Sequence, residues 1–281
     1  LMAKEGLDKV VLNKLNLNLN KDIKLDKWKN FLYALNNPIK EIKIGLVGKY
    51  VELQDAYKSI SEAIIHAGTK NSCRVLVNWI HAEEINEKNI EKKLATLSGI
   101  IVAPGFGDRG IEGKIHAIKY VRENNIPFLG ICLGMQTAVI EYARNVLNLK
   151  DANSLEMNAK TPHPVIHLME TQKNIFNKGG TMRLGSYECS IIKNSKSFSA
   201  YKEEIIHERH RHRFEFNNLY KDDFEEKGMV ASGINQKNNL VEIIELPNHK
   251  WFVGVQFHPE YKSTVANPHP LFCSFIKSCL S

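Results

Sequence analysis

The sequence changes character at residue 42, and the pattern that begins there admits few architectures. Short apolar runs alternate with stretches of helical spacing. Ile42-Lys-Ile-Gly-Leu-Val-Gly48 reads as a strand, followed by Ile60, Ile64 and Ile65 one helical turn apart. Arg74-Val-Leu-Val-Asn-Trp-Ile80 precedes a charged helix, Gly99-Ile-Ile-Val-Ala103 a helix near 112–124, and Pro127-Phe-Leu-Gly-Ile131 a helix over 133–147. Strands of this length joined through helices form βαβ units, which need a parallel sheet covered on both faces. Right-handed crossovers are then expected. Beyond about residue 165 the pattern turns to β, with candidate strands at 181–192, 205–217, 229–235, 240–246 and 251–257 and a closing helix over 269–279. Gly179-Gly180 and Asn238-Asn239 are the turn signals. The expected fold is α/β: a doubly wound, largely parallel central sheet flanked by helices, with an antiparallel β portion added in the C-terminal half.

Residues 1–40 follow another pattern. Leu15, Leu17 and Leu19 alternate with Asn16, Asn18 and Asn20 between two short predicted helices, 3–15 and 26–36, and Pro38 closes the segment. The segment reads as a linker or the tail of a missing upstream domain, and the chain begins without Met. Residues 41–281 form the domain proper. No run approaches the roughly 18 apolar residues of a membrane span, and Leu1–Lys9 has no signal-peptide core. The formal charge of +7 is spread among acidic residues without a basic stripe interleaved with aromatics. That argues against nucleic-acid binding and for a solvated surface with some preference for anions. Cys73, Cys132, Cys189, Cys273 and Cys279 are odd in number, irregularly spaced and without a C-x-x-C pair. They indicate neither a disulfide framework nor a zinc site. A reduced, cytoplasmic setting follows, where one cysteine can serve as a nucleophile.

Gly130-Ile-Cys132-Leu-Gly134 places such a cysteine where an apolar strand meets a helix. The G-x-nucleophile-x-G form makes a tight turn that lifts the side chain out of the sheet, and small flanking residues let the backbone fold that closely. The unpaired N–H groups at the helix start favour a thiolate. The Leu133 N–H is placed to meet a developing oxyanion. The bland reading of the same residues is a buried cysteine between two packing glycines. A nucleophilic cysteine needs a base and an orienting partner, and Gln256-Phe-His258-Pro-Glu260 supplies both. Residues two apart on an extended segment point to the same side, so His258 and Glu260 can meet. Alone, His258 would pass for a turn histidine beside a proline.

Two other stretches invite site assignments. Gly105-Phe-Gly107-Asp-Arg-Gly110 has G-x-G-x-x-G spacing, but it follows the third strand, and the next strand ends in cysteine rather than an acidic ribose ligand. A Gly-rich turn giving the second half of an oxyanion hole is the simpler reading. In His207-Glu-Arg-His-Arg-His-Arg213, a strand would put Arg209, Arg211 and Arg213 on one face and His210 and His212 on the other. The histidines lack further ligands at a metal-site spacing. The arginines suit a substrate or nucleotide contact.

Taken together, Gly-Ile-Cys132-Leu-Gly-Met-Gln136 and Phe-His258-Pro-Glu260 resemble the class I, triad-type glutamine amidotransferases. Val47-Gly-Lys-Tyr-Val-Glu52, Asp55-Ala-Tyr57, Arg109-Gly-Ile-Glu-Gly113, Arg144-Asn-Val146, Asp151-Ala-Asn-Ser-Leu-Glu156, Gly179-Gly-Thr-Met-Arg-Leu-Gly185 and Glu208–Arg213 narrow the resemblance to the amidotransferase domain of CTP synthases. It implies Cys132 as nucleophile, His258 as general acid/base and Glu260 as its partner. Gly105 and Leu133 would form the oxyanion hole. Glutamine would be held by these two, by Gly134, Met135 and Gln136, by Glu156 at its α-ammonium, and by Arg213. The Gly179–Gly185 stretch would be a lid sensing GTP, an allosteric activator, with Arg183 in contact.

The resemblance implies no cofactor or metal in this domain. A synthase domain of the same polypeptide would use ATP and Mg to aminate UTP, in a homo-oligomeric full-length enzyme. No G-x-x-x-x-G-K-[ST] is present here, so this chain alone would release ammonia without making CTP. In two places it departs from the family pattern: Pro104 stands where the family usually has glycine, and Thr161–Glu170 varies at its end. Proline has no N–H, so an oxyanion donor must come from Gly105 or beyond. The competing readings are a regulatory or scaffolding domain whose glutaminase is idle without its partner, an amidotransferase serving the synthases of GMP or carbamoyl phosphate, and a dinucleotide-binding domain.

Overall fold

The runs of uninterrupted apolar residues become the buried centre of one sheet. A computed structural model describes residues 4–17, 24–168 and 182–281. Strands β1 (Lys40–Gly48), β2 (Cys73–His81), β3 (Gly99–Val102), β4 (Phe128–Ile131) and β12 (Phe252–Val255) pair in parallel in the order β2-β1-β3-β4-β12. The sheet continues antiparallel through β11 (Leu240–Glu245), β10 (Val230–Asn235), β7 (Arg183–Ile191) and β8 (Ile205–His212), making nine strands. Every residue of β3, β4 and β12 is buried, as a parallel strand covered on both faces requires. Successive side chains go to opposite layers. Ile100 and Val102 join the core under α5 (Ile111–Glu123) and α6 (Leu133–Asn145). Ile101 joins the one under α3 (Lys58–Lys70) and α9 (Pro270–Cys279). The fold is α/β with a parallel core and antiparallel C-terminal strands, and among the described residues no helix is long and apolar enough to cross a membrane.

Several elements depart from the sequence expectation. The strand expected over 205–217 is two strands in different sheets, because β8 ends at His212 and β9 (Phe214–Phe216) pairs elsewhere. β9 joins β5 (Ala152–Ser154) and β6 (His163–Leu168) in a small three-stranded sheet that the apolar pattern did not announce. Two further helices of six residues each, α7 (Lys196–Tyr201) and α8 (Lys221–Glu226), are too short to leave a periodic signal. Within the segment read as a linker, α1 (Leu7–Lys14) buries no residue, whereas α2 (Asp26–Asn36) lies against α3, with the Phe31 and His66 rings 5.9 Å apart. A five-residue helix, α4 (Ile90–Leu94), completes the set. The Gly179-Gly180 turn lies outside the described residues.

The crossing of β4 into α6 depends on two glycines. A Cβ at Gly130 would lie 2.8 Å from the Gly134 carbonyl, and one at Gly134 would lie 2.2 Å from the carbonyl oxygen of Val102. Both contacts are with backbone atoms, and the second is too close for any rotamer change to relieve. Gly134→Ala is therefore expected to cost about 3 kcal/mol, lowering Tm by roughly 6–10 °C. Thermal unfolding of the variant beside wild type measures it.

Candidate active site

Between β4 and α6 the chain turns at Cys132, whose φ of 52° and ψ of −104° lie outside the regions an ordinary L residue adopts. Such a backbone costs on the order of 1–3 kcal/mol and persists only when its surroundings enforce it. Here the Cys132 N–H donates to the carbonyl of Val255 at 2.7 Å, and the Cys132 carbonyl accepts from Gln136 N–H at 3.1 Å. The turn is thus held by β12 on one side and by the first turn of α6 on the other.

The same strand pairing delivers the base. Val255 lies level with Ile131, so Gln256 comes alongside Cys132 and His258 follows two residues on. His258 N–H donates to Arg209 carbonyl at 2.8 Å, which ties the segment to β8. The His258 Nδ1 and Glu260 Oε1 atoms are 2.7 Å apart, both side chains being buried. They do not meet along an extended segment, as the sequence spacing suggests. Pro259 opens a 3-10 turn, Pro259–Lys262, and the carboxylate reaches back across it. Proline at the first position of a helical turn has its φ preset and no N–H to lose. The Tyr261 ring stacks on the imidazole, 5.0 Å between centroids and 8° between planes. Burial lowers the His258 pKa, but its hydrogen bond to Glu260 and the nearby Cys132 and Glu260 charges outweigh it and push the value up to about 11. The imidazolium is the favoured form.

Opposite the thiol, the loop after β3 is pinned by two lysines. Lys114, fully buried, donates from Nζ to the Ala103 carbonyl at 2.7 Å, and Lys49 donates to the carbonyls of Phe106 and Gly107. Burial, with the nearby Lys49 charge, brings Lys114 down to about 7. The Gly107 N–H donates to Glu156 Oε1 at 2.9 Å. A Cβ on Gly105 would stand 3.4 Å from a Leu133 methyl, so the two expected oxyanion residues are neighbours. Gly105, Phe106, Cys132, Gln136, Glu156, His212, Arg213 and Phe214 line a cavity of about 20 Å³. Cys132 and four of the residues expected to hold glutamine therefore share one cavity. Leu133 and Met135 have side chains in the core, and Gly134 packs on Val102, so none of these three lines the cavity.

Comparison with known proteins assigns the chain to a family. The sequence model of the family described as glutamine amidotransferase class-I matches residues 52–278. The glutaminase domain of Trypanosoma brucei CTPS, solved with bound acivicin, is 37% identical with a TM-score of 0.80, covering 85% of this chain and 94% of that one. The chain belongs to the class I glutamine amidotransferases, as the glutaminase domain of a CTP synthase. The CTP synthase of Flavobacterium johnsoniae is 59% identical over all 281 residues, which is 52% of its own length, and that of Christiangramia forsetii is 60% identical over 278 residues, 51% of its length. The glutaminase domain thus spans about half of the curated relatives it matches.

Arg183, which the resemblance puts in contact with GTP, lies in the interior. It is buried on β7, its Nη1 2.6 Å from Glu242 Oε1 and 3.5 Å from Glu215 Oε1, at ion-pair distance without hydrogen-bond alignment. Burial raises both carboxyls, and Arg183 opposes that rise in each. A guanidinium enclosed by two carboxylates is occupied and turned inward; of its stretch, Gly179–Thr181 lies outside the described residues. His210 and His212 face the same interior, 2.8 Å apart through their ring nitrogens. Burial drives both pKa values down, that of His212 to about 3, so both are neutral. Arg213, in the break between β8 and β9, turns to the cavity. Sequence reading missed Phe106, Phe214, Lys49 and Lys114 as neighbours of the site. Lysines are rarely buried, so the pinning lysines carried no signal. Gln256 did carry one: it stands two residues before His258 beside a strand end.

The His258 shift has a testable sign. Its folded pKa of about 11 exceeds the ordinary 6.5. The stability it contributes is complete below 6.5 and is lost as the pH rises toward 11. Glu260→Gln removes one of the groups raising it. The decline of Tm between about pH 7 and about pH 10 should then be shallower than in wild type, and the His258 imidazole should titrate lower by NMR.

Proposed function

We propose that this domain hydrolyses glutamine to glutamate and ammonia through a γ-glutamyl thioester on Cys132. The observation that carries the reading is a thiol on a strained strand–helix turn beside a buried, carboxylate-bound imidazole. Cys132 sulfur attacks the side-chain carboxamide carbon, and the oxygen, gaining negative charge, is met by the N–H groups of Gly105 and Leu133. His258 as imidazolium protonates the leaving nitrogen, and ammonia departs. The neutral imidazole then takes a proton from water, which attacks the thioester, and glutamate leaves with the thiol regenerated. Glu260 orients the ring and balances its charge in both steps.

Gln136, Glu156 and Arg213 suit the rest of the substrate. The Glu156 carboxylate matches an α-ammonium and the Arg213 guanidinium an α-carboxylate, while Gly134 and Met135 contribute backbone groups. In the full-length enzyme, the ammonia would pass to a synthase domain of the same polypeptide that aminates UTP with ATP and Mg, with GTP as activator, in a cytoplasmic homo-oligomer.

Measuring ammonia release tests the reading. Cys132→Ala should lower the rate by about 1,000-fold or more, and acivicin should modify Cys132 in the wild type. Equal, slow hydrolysis by both proteins with GTP present would instead favour a domain whose glutaminase is idle.

A further inference from the structure

Gln256 is wholly buried and donates from Nε2 to the sulfur of Cys132 at 3.7 Å. Its Oε1 accepts from Gln136 Nε2 at 3.1 Å, and the same Gln136 nitrogen donates to the Phe214 carbonyl at 3.0 Å. The direction of this chain is not arbitrary. A backbone carbonyl can only accept, so Gln136 must present its NH₂ there. With one N–H spent on Phe214, the other points to Gln256 and requires its oxygen. The NH₂ of Gln256 is left for the sulfur. A peptide carbonyl thereby fixes the polarity of a donor aimed at the nucleophile.

We propose that Gln256 is a further catalytic residue, a fixed N–H donor that stabilises the Cys132 thiolate and is set in place by Gln136, a residue of the glutamine cavity. The assignment rests on Cys132 being the nucleophile. Its chemistry is complementary to that of His258. The imidazole, two residues along, exchanges protons with the reaction, whereas the amide does not titrate and holds its hydrogen toward sulfur throughout. An N–H···S⁻ bond is stronger than N–H···S–H, since a charged acceptor roughly doubles such bonds. The gain is therefore greatest in the free thiolate and smaller in the thioester. Because Gln136 also lines the cavity, a substrate that displaces its side chain would disturb the Gln256 donor too. Occupancy of the glutamine site is thus coupled to the nucleophile through two amides.

The test is the pH dependence of Cys132 alkylation by iodoacetamide, located by mass spectrometry, in wild type, Gln256→Met and Gln256→Glu. Methionine keeps the length and loses the donor, while glutamate keeps the shape and adds charge. The acid limb of the wild-type profile should move to higher pH by about one unit in Gln256→Met, and further in Gln256→Glu. Profiles superimposable on wild type in folded variants, judged by circular dichroism and melting, would overturn the proposal. A role in packing alone would change the melting and leave the profile in place. Should neither variant fold, the side-chain ¹⁵N resonance of Gln256 in the wild-type protein decides. It should shift with the alkylation profile and stay flat in Cys132→Ala, and a flat response in both would overturn the proposal. Failure of wild type to be alkylated at Cys132 is a different result, and would remove the nucleophile reading itself.

Discussion

The hydrogen bond from Cys132 N–H to the Val255 carbonyl organises the rest of the molecule. It is the last rung of the parallel pairing between β4 and β12, and it sets the register of everything beyond. A shift by one residue would exchange the faces of the following side chains and turn Gln256 and His258 away from the sulfur. The register is secured by flat, buried packing: Phe128 stacks on Phe252 with ring centroids 4.3 Å apart, and Gly130 lies level with Gly254. Core packing and the candidate site are here one constraint, because the residues that fix the strands lie on the same two strands that lead into Cys132 and Gln256.

The antiparallel extension has a different task. β8 supplies the Arg209 carbonyl that anchors His258, and its end at His212 releases Arg213 toward the cavity. The interior beside it holds Arg183, Glu215, Glu242, His210 and His212, a polar cluster within otherwise apolar surroundings. One cation between two carboxylates whose own ionisation is disfavoured by burial keeps the net charge small, which lowers the cost of enclosing it. The two histidines, held neutral, add hydrogen-bonding capacity without adding charge.

How far these features could be read from the chain depends on what each rests on. The central strands were legible because burial on both faces demands unbroken apolar runs. The elbow was legible because its glycines flank the cysteine in a short pattern, and Gly130 answers to Gly134 four residues on, although Gly134 itself answers to Val102 on β3. The small sheet was not: Ala152–Ser154 is too short and too polar to read as a strand, and Pro164 argues against one at His163–Leu168. Nor was the route by which Glu260 reaches His258, since spacing of two also fits a 3-10 turn after proline. Arg183 shows the limit most clearly. Only the resemblance gave Arg183 a role, and only the positions of Glu215 and Glu242, far away in sequence, place it inside.

The cavity beside Cys132, at about 20 Å³, is the size of a water molecule and not of a glutamine side chain. Its outer wall includes Phe106, on the segment whose carbonyls the two lysines hold. The sulfur of Cys132 therefore borders a space with room for water but not for a carboxamide side chain. On the proposed reading, room for a carboxamide would have to come from the residues of that wall.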